Sequence, residues 1–495
     1  MISDIEHKEI IYQEQGEEKL LYATKEAIQK RGSLAVGLTI GEIDRHNRAD
    51  SKEVKGGIGH VIEESWYGYK INSDAEPDFY EAGVELKATG IIRNKQGRFR
   101  AKERLVLNII NYMKEVKATF ETSSFWRKNK ILMLFVYEYL KDRPHSEFPI
   151  VAAELFTYPT EDLIIIRDDW AKIVGKIRAG KAHEISEGDT LYLGACTKGS
   201  TAARSMRQQP HSEILAKQRA YCLKQQYMTY VIRTHIFHEQ AEERIVRDVR
   251  LLQKKSFEEY VISKLEAYKG KSVDEMAHDF GIAVINGRRP KNLESMLAFR
   301  ILGIRGNKAE ELEKAGVVVK TIRIGKKGKI RENMSFPAFR YRELAEETWE
   351  ESTFGEYLRN TRFLFVVYKY DSDGTHLRLL GGQFWNIPYK DLEGNVKEVW
   401  EETRNIIKEG RLTVDIVNNT LQNNFPKQKN NPVSHVRPHG QTRLGSVNKL
   451  PEGTRVNIHS SDGSFAWPYE DMFLDHCFWL NNSYILSQLD ERFKR

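Results

Sequence analysis

The 495-residue sequence predicts an α/β protein made of two tandem copies of one domain. Three observations predict it. First, strand-like and helix-like segments alternate. Val84-Glu85-Leu86-Lys87-Ala88-Thr89 changes character at every residue, Ile131-Leu132-Met133-Leu134-Phe135-Val136-Tyr137 is a short apolar run, and Trp170 to Gly180 carries apolar residues at helical spacing. Second, the later half echoes the earlier one in the same order. Gly83-Val84-Glu85-Leu86-Lys87 is matched by Gly316-Val317-Val318-Val319-Lys320, and the apolar run by Arg362-Phe363-Leu364-Phe365-Val366-Val367-Tyr368. Trp170 with Gly180 is matched by Trp400 with Gly410, and Tyr221-Cys222-Leu223 by Phe478-Trp479-Leu480. The near-equal spacing gives a repeat of about 230 residues, an ordinary domain size. Third, hydrophobic residues are 40% and charged residues 30%, the composition of a chain that builds a packed core.

Taken in order, Gly16 to Gly32 reads as a helix. The basic stretch Lys55-Gly56-Gly57-Ile58-Gly59 leads into a short helix, His60 to Gly68, closed by its glycine. The alternating strand follows, then a turn at Asn94-Lys95-Gln96-Gly97 and a basic segment, Arg98 to Arg104. The apolar strand and the helix ending at Gly180 come next. The charged run from Glu239 to Lys255 reads as a solvated helix or linker, which sets the boundary near residue 245 and gives domains 1–245 and 246–495. The N-terminus lacks a basic region followed by an apolar run, and no apolar run is long enough to span a bilayer. Only Cys196, Cys222 and Cys477 are present, without a CxxC pattern, so a reducing cytoplasmic setting is expected and a disulfide framework is not. A net charge of +7 suits a polyanionic partner.

The chemistry concentrates at Pro77-Asp78-Phe79-Tyr80-Glu81-Ala82-Gly83-Val84-Glu85-Leu86-Lys87. Residues two apart on a strand share a face, so Glu85 and Lys87 point the same way, and Asp78 arrives from the preceding segment. Two carboxylates suit a hard cation such as Mg²⁺, and the lysine can orient or deprotonate a water. This is the equipment for metal-assisted phosphodiester hydrolysis. In the second copy Val318 stands where Glu85 stands in the first, and Glu311 takes the place of Asp78. A valine cannot bind a cation, so one copy is expected to be catalytic and the other pseudo-catalytic, retained for binding.

The run Asp78 to Lys87 resembles the mismatch-repair endonuclease MutH and its restriction-enzyme relatives, above all the GATC-cutting enzymes of the Sau-three-A type. Lys102 to Tyr112, Phe120-Glu121-Thr122-Ser123-Ser124-Phe125 and Cys196-Thr197-Lys198-Gly199 carry the resemblance further. In the second half Met334-Ser335-Phe336, Glu346 to Glu350 and His435-Val436-Arg437-Pro438-His439 do the same. The resemblance implies tandem restriction-endonuclease-like domains, each a mixed sheet flanked by helices. It implies Mg²⁺-dependent cleavage of double-stranded DNA at GATC, before the G, with the second domain binding a further GATC copy as effector. It implies a third carboxylate from the short helix. Counting from Gly59 gives Glu63, counting back from Trp66 gives Glu64, because this chain carries one extra residue there; Glu63 is preferred. It also implies Lys128 beside the scissile phosphate, Thr197 and Lys198 in the major groove, and Arg437 and His439 in the equivalent loop of the second domain, with Lys55 as a further DNA contact. A monomer that pairs on DNA is expected, since a palindrome has two strands to cut and the chain has one intact site. A MutH-like nickase and a non-cleaving GATC-binding protein are the alternatives.

Overall fold

The computed structural model describes residues 11–14, 17–20, 22–51, 57–71, 75–93, 97–198, 205–282, 290–350, 352–417, 420–438, 446–460 and 467–494. The chain divides into two compact units, Met1–Phe257 with Lys308–Val317, and Glu258–Asn307 with Val318–Arg495.

In the first unit the strand Glu85–Arg93 runs parallel to Ile131–Glu138, with Glu85 opposite Leu132 and Lys87 opposite Leu134. Ile150–Thr157 pairs antiparallel with the other side of Ile131–Glu138, and Phe99–Ala101 closes the far edge. The central strand is buried from Ile131 through Val136. A strand covered on both faces has no polar side to alternate with, hence its unbroken apolar sequence. A second, antiparallel sheet sets Arg219–Leu223 between Leu105–Ile109 and Leu193–Thr197. The helix Thr160–Arg178 buries Ile166, Trp170, Ile173 and Ile177 along one stripe. Its buried Asp169 accepts the backbone N–H groups of Leu191, Tyr192 and Leu193 at 2.6–3.0 Å, which fixes the entry of Leu193–Thr197.

The second unit repeats this strand order. Arg362–Tyr370 lies between Val317–Ile324 and Leu377–Trp385, and His476–Leu480 lies between Met334–Ala338 and Ser434–Pro438. The helix Lys397–Lys408 buries Trp400, Ile406 and Ile407, as the sequence echo of Trp170 requires. In each copy a glycine with positive φ, Gly83 (65°) or Gly316 (62°), turns the chain into the motif strand.

Two expectations need correcting. The helix expected from Gly16 begins only at Lys25, where the Thr24 hydroxyl accepts the Ala27 N–H; Glu17–Leu20 instead pairs with Ile11–Glu14 as a hairpin. The charged run near residue 245 is not a solvated linker. Ile245, Val246 and Leu252 are buried, and Glu311 accepts the backbone N–H groups of Ile245 and Val246 at 3.0 and 2.9 Å. The division therefore falls at Phe257, and Lys308–Val317 packs with the first unit. Among the described residues no helix is long and apolar enough to cross a membrane.

Candidate active site

The start of the strand Glu85–Arg93 opens into a cleft of about 1160 Å³ in the first unit. Glu63, Asp78, Glu85, Lys87 and Lys128 all line it. Asp78 is locked to the strand reciprocally: its backbone N–H donates to Glu85 Oε2 at 3.2 Å, and its Oδ2 accepts the Leu86 N–H at 3.0 Å. The Phe79–Val84 bridge closes this turn. Lys87 Nζ donates to Glu85 Oε1, and Lys128 Nζ stands 3.7 Å from the same oxygen.

Lys128 is carried by the helix Ser124–Asn129, whose N-terminus is capped by the Ser123 hydroxyl. A buried polar network holds that helix. Asn129 donates to Asn108 at 2.8 Å and to the Phe125 carbonyl, Asn108 donates to the Ser124 hydroxyl, and that hydroxyl donates to Glu115 at 2.9 Å. Tyr221 Oη also donates to Glu115 at 2.9 Å. Sequence reasoning missed Glu115 and Asn108 as positioning residues. Asn108 lies inside a stretch already singled out, but nothing in its spacing marks its partners.

The short helix separates the two candidate carboxylates. Gly57–His60 is α-helical, and Val61–Trp66 continues it as a π-helical turn with Tyr67 N–H donating to the Ile62 carbonyl at 3.1 Å. A π turn absorbs one extra residue within a helix. It leaves Glu63 in the cleft, while Glu64 pairs with Arg48 at 2.9 Å.

Burial, then the Asp78 and Glu85 carboxylates, push the Glu63 acid up to about 8 against the pull of Lys87 and Lys128. Burial pushes Glu85 up to about 7, with Lys87 opposing and Asp78 reinforcing. Among the described residues no group of three His, Cys, Asp or Glu side chains is arranged to chelate an ion. The carboxylate oxygens are turned instead to Lys87, Lys128 and backbone amides. The donor set still fits a hard divalent cation. It offers oxygen ligands only, and Glu63 and Glu85, pushed up by burial and by neighbouring acids, are groups a divalent charge would stabilise.

Thr197 and Lys198 are exposed at the end of Leu193–Thr197 and do not line the cleft. Arg437 is exposed on Ser434–Pro438, the topological counterpart of that strand, with its guanidinium 5.3 Å from the Trp479 ring centre. His435 on the same strand is buried and bonded to Asn481 at 2.6 Å. Lys55 and His439 lie outside the described residues.

The strand Glu85–Arg93 thus presents a carboxylate and a lysine to a cleft shared with two more acids. The family model described as DNA mismatch repair enzyme MutH matches residues 67–169, which include Asp78, Glu85, Lys87 and Lys128. The chain is 39% identical over 500 residues to the type II restriction enzyme Sau3AI of Staphylococcus aureus, covering 95% of this chain and 99% of that protein. It is 27% identical over 176 residues to the DNA mismatch repair protein MutH of Shewanella woodyi, covering 34% of this chain and 74% of that protein. For the MutH of Shewanella amazonensis the figures are 25% over 210 residues, 41% and 92%. The chain belongs to the Sau3AI family of type II restriction enzymes and carries the MutH-like nuclease domain in its first half.

Proposed function

We propose that this restriction endonuclease cleaves double-stranded DNA at GATC, before the G, with Mg²⁺ as cofactor, and that its second unit binds a further GATC copy as an effector. The observation that carries this is the convergence of Glu63, Asp78, Glu85, Lys87 and Lys128 on one cleft, the last four of them inside the MutH-matching region. Glu63, Asp78 and Glu85 would hold the ion. Bound there, Mg²⁺ supplies Lewis-acid polarisation of the scissile phosphate and a more acidic water.

The chain's own groups do the rest. Lys87, on the same strand face as Glu85, orients the attacking water. Lys128, held by the Asn108–Ser124–Glu115 network, stabilises the charge that grows on the phosphate oxygens. The mutual brace of Asp78 and Glu85 fixes both carboxylates before DNA arrives. Thr197 and Lys198 reach into the major groove, with Arg437 and His439 serving the second unit and Lys55 adding a phosphate contact. The second unit cannot cut, because Val318 replaces Glu85 and Tyr357 follows Ser352 at the spacing that puts Lys128 after Ser123. The protein acts in the cytosol as a monomer that pairs on DNA; its three cysteines are buried and not disulfide-bonded, which suits a reducing compartment.

Glu85→Ala tests this reading. Mg²⁺-dependent cutting of GATC DNA should vanish while duplex binding remains. Cutting that survives the substitution would refute the site, and binding without any cutting by the unmodified chain would point to a non-cleaving GATC-binding protein.

A further inference from the structure

The second unit has its own cavity beside the degenerate motif strand, about 430 Å³ and lined by residues of Val317–Ile324 and Met334–Ala338 together with the segment between them. Its lining contains Lys320, the counterpart of Lys87. The electrostatics are inverted relative to the first unit. There, Lys87 rests on Glu85. Here the residue two before Lys320 is Val318, and among the described residues no carboxylate pairs with Lys320. Glu311, which echoes Asp78, has its carboxylate engaged by the backbone of Ile245 and Val246. The acidic side chain in the lining is Glu332, and Arg323, also in the lining, neutralises it at 2.6 Å. Arg331 adds a further cation, and Ser335 brings a hydroxyl group. At the rim, Gly325 opens a turn in which Lys326, Lys327 and Lys329 are exposed. Burial lowers the Lys320 pKa, so the lysine is held in a medium where a bound anion would restore favourable surroundings to its charge.

We infer that this cavity is a phosphate seat, with Lys320 at its base, Arg331 and the Ser335 hydroxyl on its wall, and the Lys326–Lys329 turn as its electropositive rim. Loss of the carboxylates that make the first site a nuclease has turned the second into an anion site. The inference rests on the effector reading only for the source of the phosphate, which is the DNA backbone rather than free phosphate. A backbone phosphate would enter between the rim lysines and lie against Lys320, a contact that adds affinity and register without sequence information.

The test maps lysine reactivity on the full-length chain in EDTA. Lysines are modified by reductive methylation and read by peptide mass spectrometry, alone, with a GATC duplex, and with inorganic phosphate. The duplex should protect Lys320. Lys320→Met should then weaken the second duplex-binding event about tenfold and flatten its salt dependence by about 0.9 in log–log slope, while Lys320→Arg should keep both. Protection by inorganic phosphate but not by bound duplex would keep the seat and overturn DNA as its source. Duplex bound at both units with Lys320 fully reactive would overturn the seat while leaving the effector reading intact. Only one duplex bound per chain, with no protection by phosphate, would overturn both.

Discussion

Replacing Lys314 with methionine should cost the first unit about 3–5 kcal/mol, the penalty for removing one partner of a buried ion pair. Lys314 sits on the helix Glu310–Ala315, with its side chain 3% exposed. Its ammonium donates to Asp162 at 2.7 Å and to Glu310 at 2.8 Å, and Asp162 is 2% exposed. The residue is thus enclosed between two acids that have no water to turn to. Methionine of similar length would fill the space but leave Asp162 with Tyr227 at 3.1 Å and Glu310 with Arg244 at 3.6 Å. Burial already raises the Asp162 pKa, and Lys314 is the main group opposing that rise, so its loss leaves the buried acid uncompensated. Urea unfolding followed by tryptophan fluorescence reads the loss. Lys314→Met combined with Asp162→Asn should recover part of it, because the buried charge left behind is what costs most. A loss below about 1 kcal/mol, as for an exposed pair, would refute the claim that this helix is anchored in the first unit.

Further outcomes follow from the site and from the second unit's core. Glu63→Gln should slow cleavage at least about 10²-fold, whereas Glu64→Gln, which loosens only the Arg48 pair, should stay within about fivefold; equal losses would reverse the assignment. Lys128→Met should lower kcat about 10²- to 10³-fold with little change in duplex affinity, and a pure affinity loss would make it a phosphate clamp only. His476 is buried, with Asn423 donating to its Nε2 at 2.8 Å and its Nδ1 bonded to the Leu474 carbonyl at 2.7 Å, and burial lowers its pKa to about 4. Its unfolded form takes up a proton near pH 6.5 and the folded form only near 4, so stability should fall as pH drops through that window, by about 1.4 kcal/mol per pH unit. Urea midpoints that are flat between pH 6.5 and 4, or unchanged in slope in His476→Gln, would contradict this.

The sequence made the motif strand legible because a strand's two-residue period puts Glu85 and Lys87 on one face whatever surrounds them. The repeat was legible for a similar reason. Apolar runs, tryptophans and helix-closing glycines mark the same places in each copy, and both units show the same strand orders. What stayed hidden depended on contacts distant in sequence. Glu63 and Glu64 could not be separated by counting, because an i→i+5 turn changes which helix face a residue occupies without changing composition. Glu115 carries no motif or spacing that would single it out, yet it is buried beneath Tyr221 and the Lys128 helix. The run Glu239 to Lys255 looked like linker because its charges dominate, while its few apolar residues are buried and two of its backbone amides are held by Glu311.

The central claim joins a metal-dependent nuclease in the first unit to an effector site in the second. Its most direct measurement compares two plasmids, one with a single GATC and one with several, digested with Mg²⁺ and with EDTA. Rapid cutting of the multi-site plasmid, slow cutting of the single-site one and none in EDTA is the expected result. Equal rates would leave the nuclease without its effector, and binding with no cutting of either plasmid would contradict the claim.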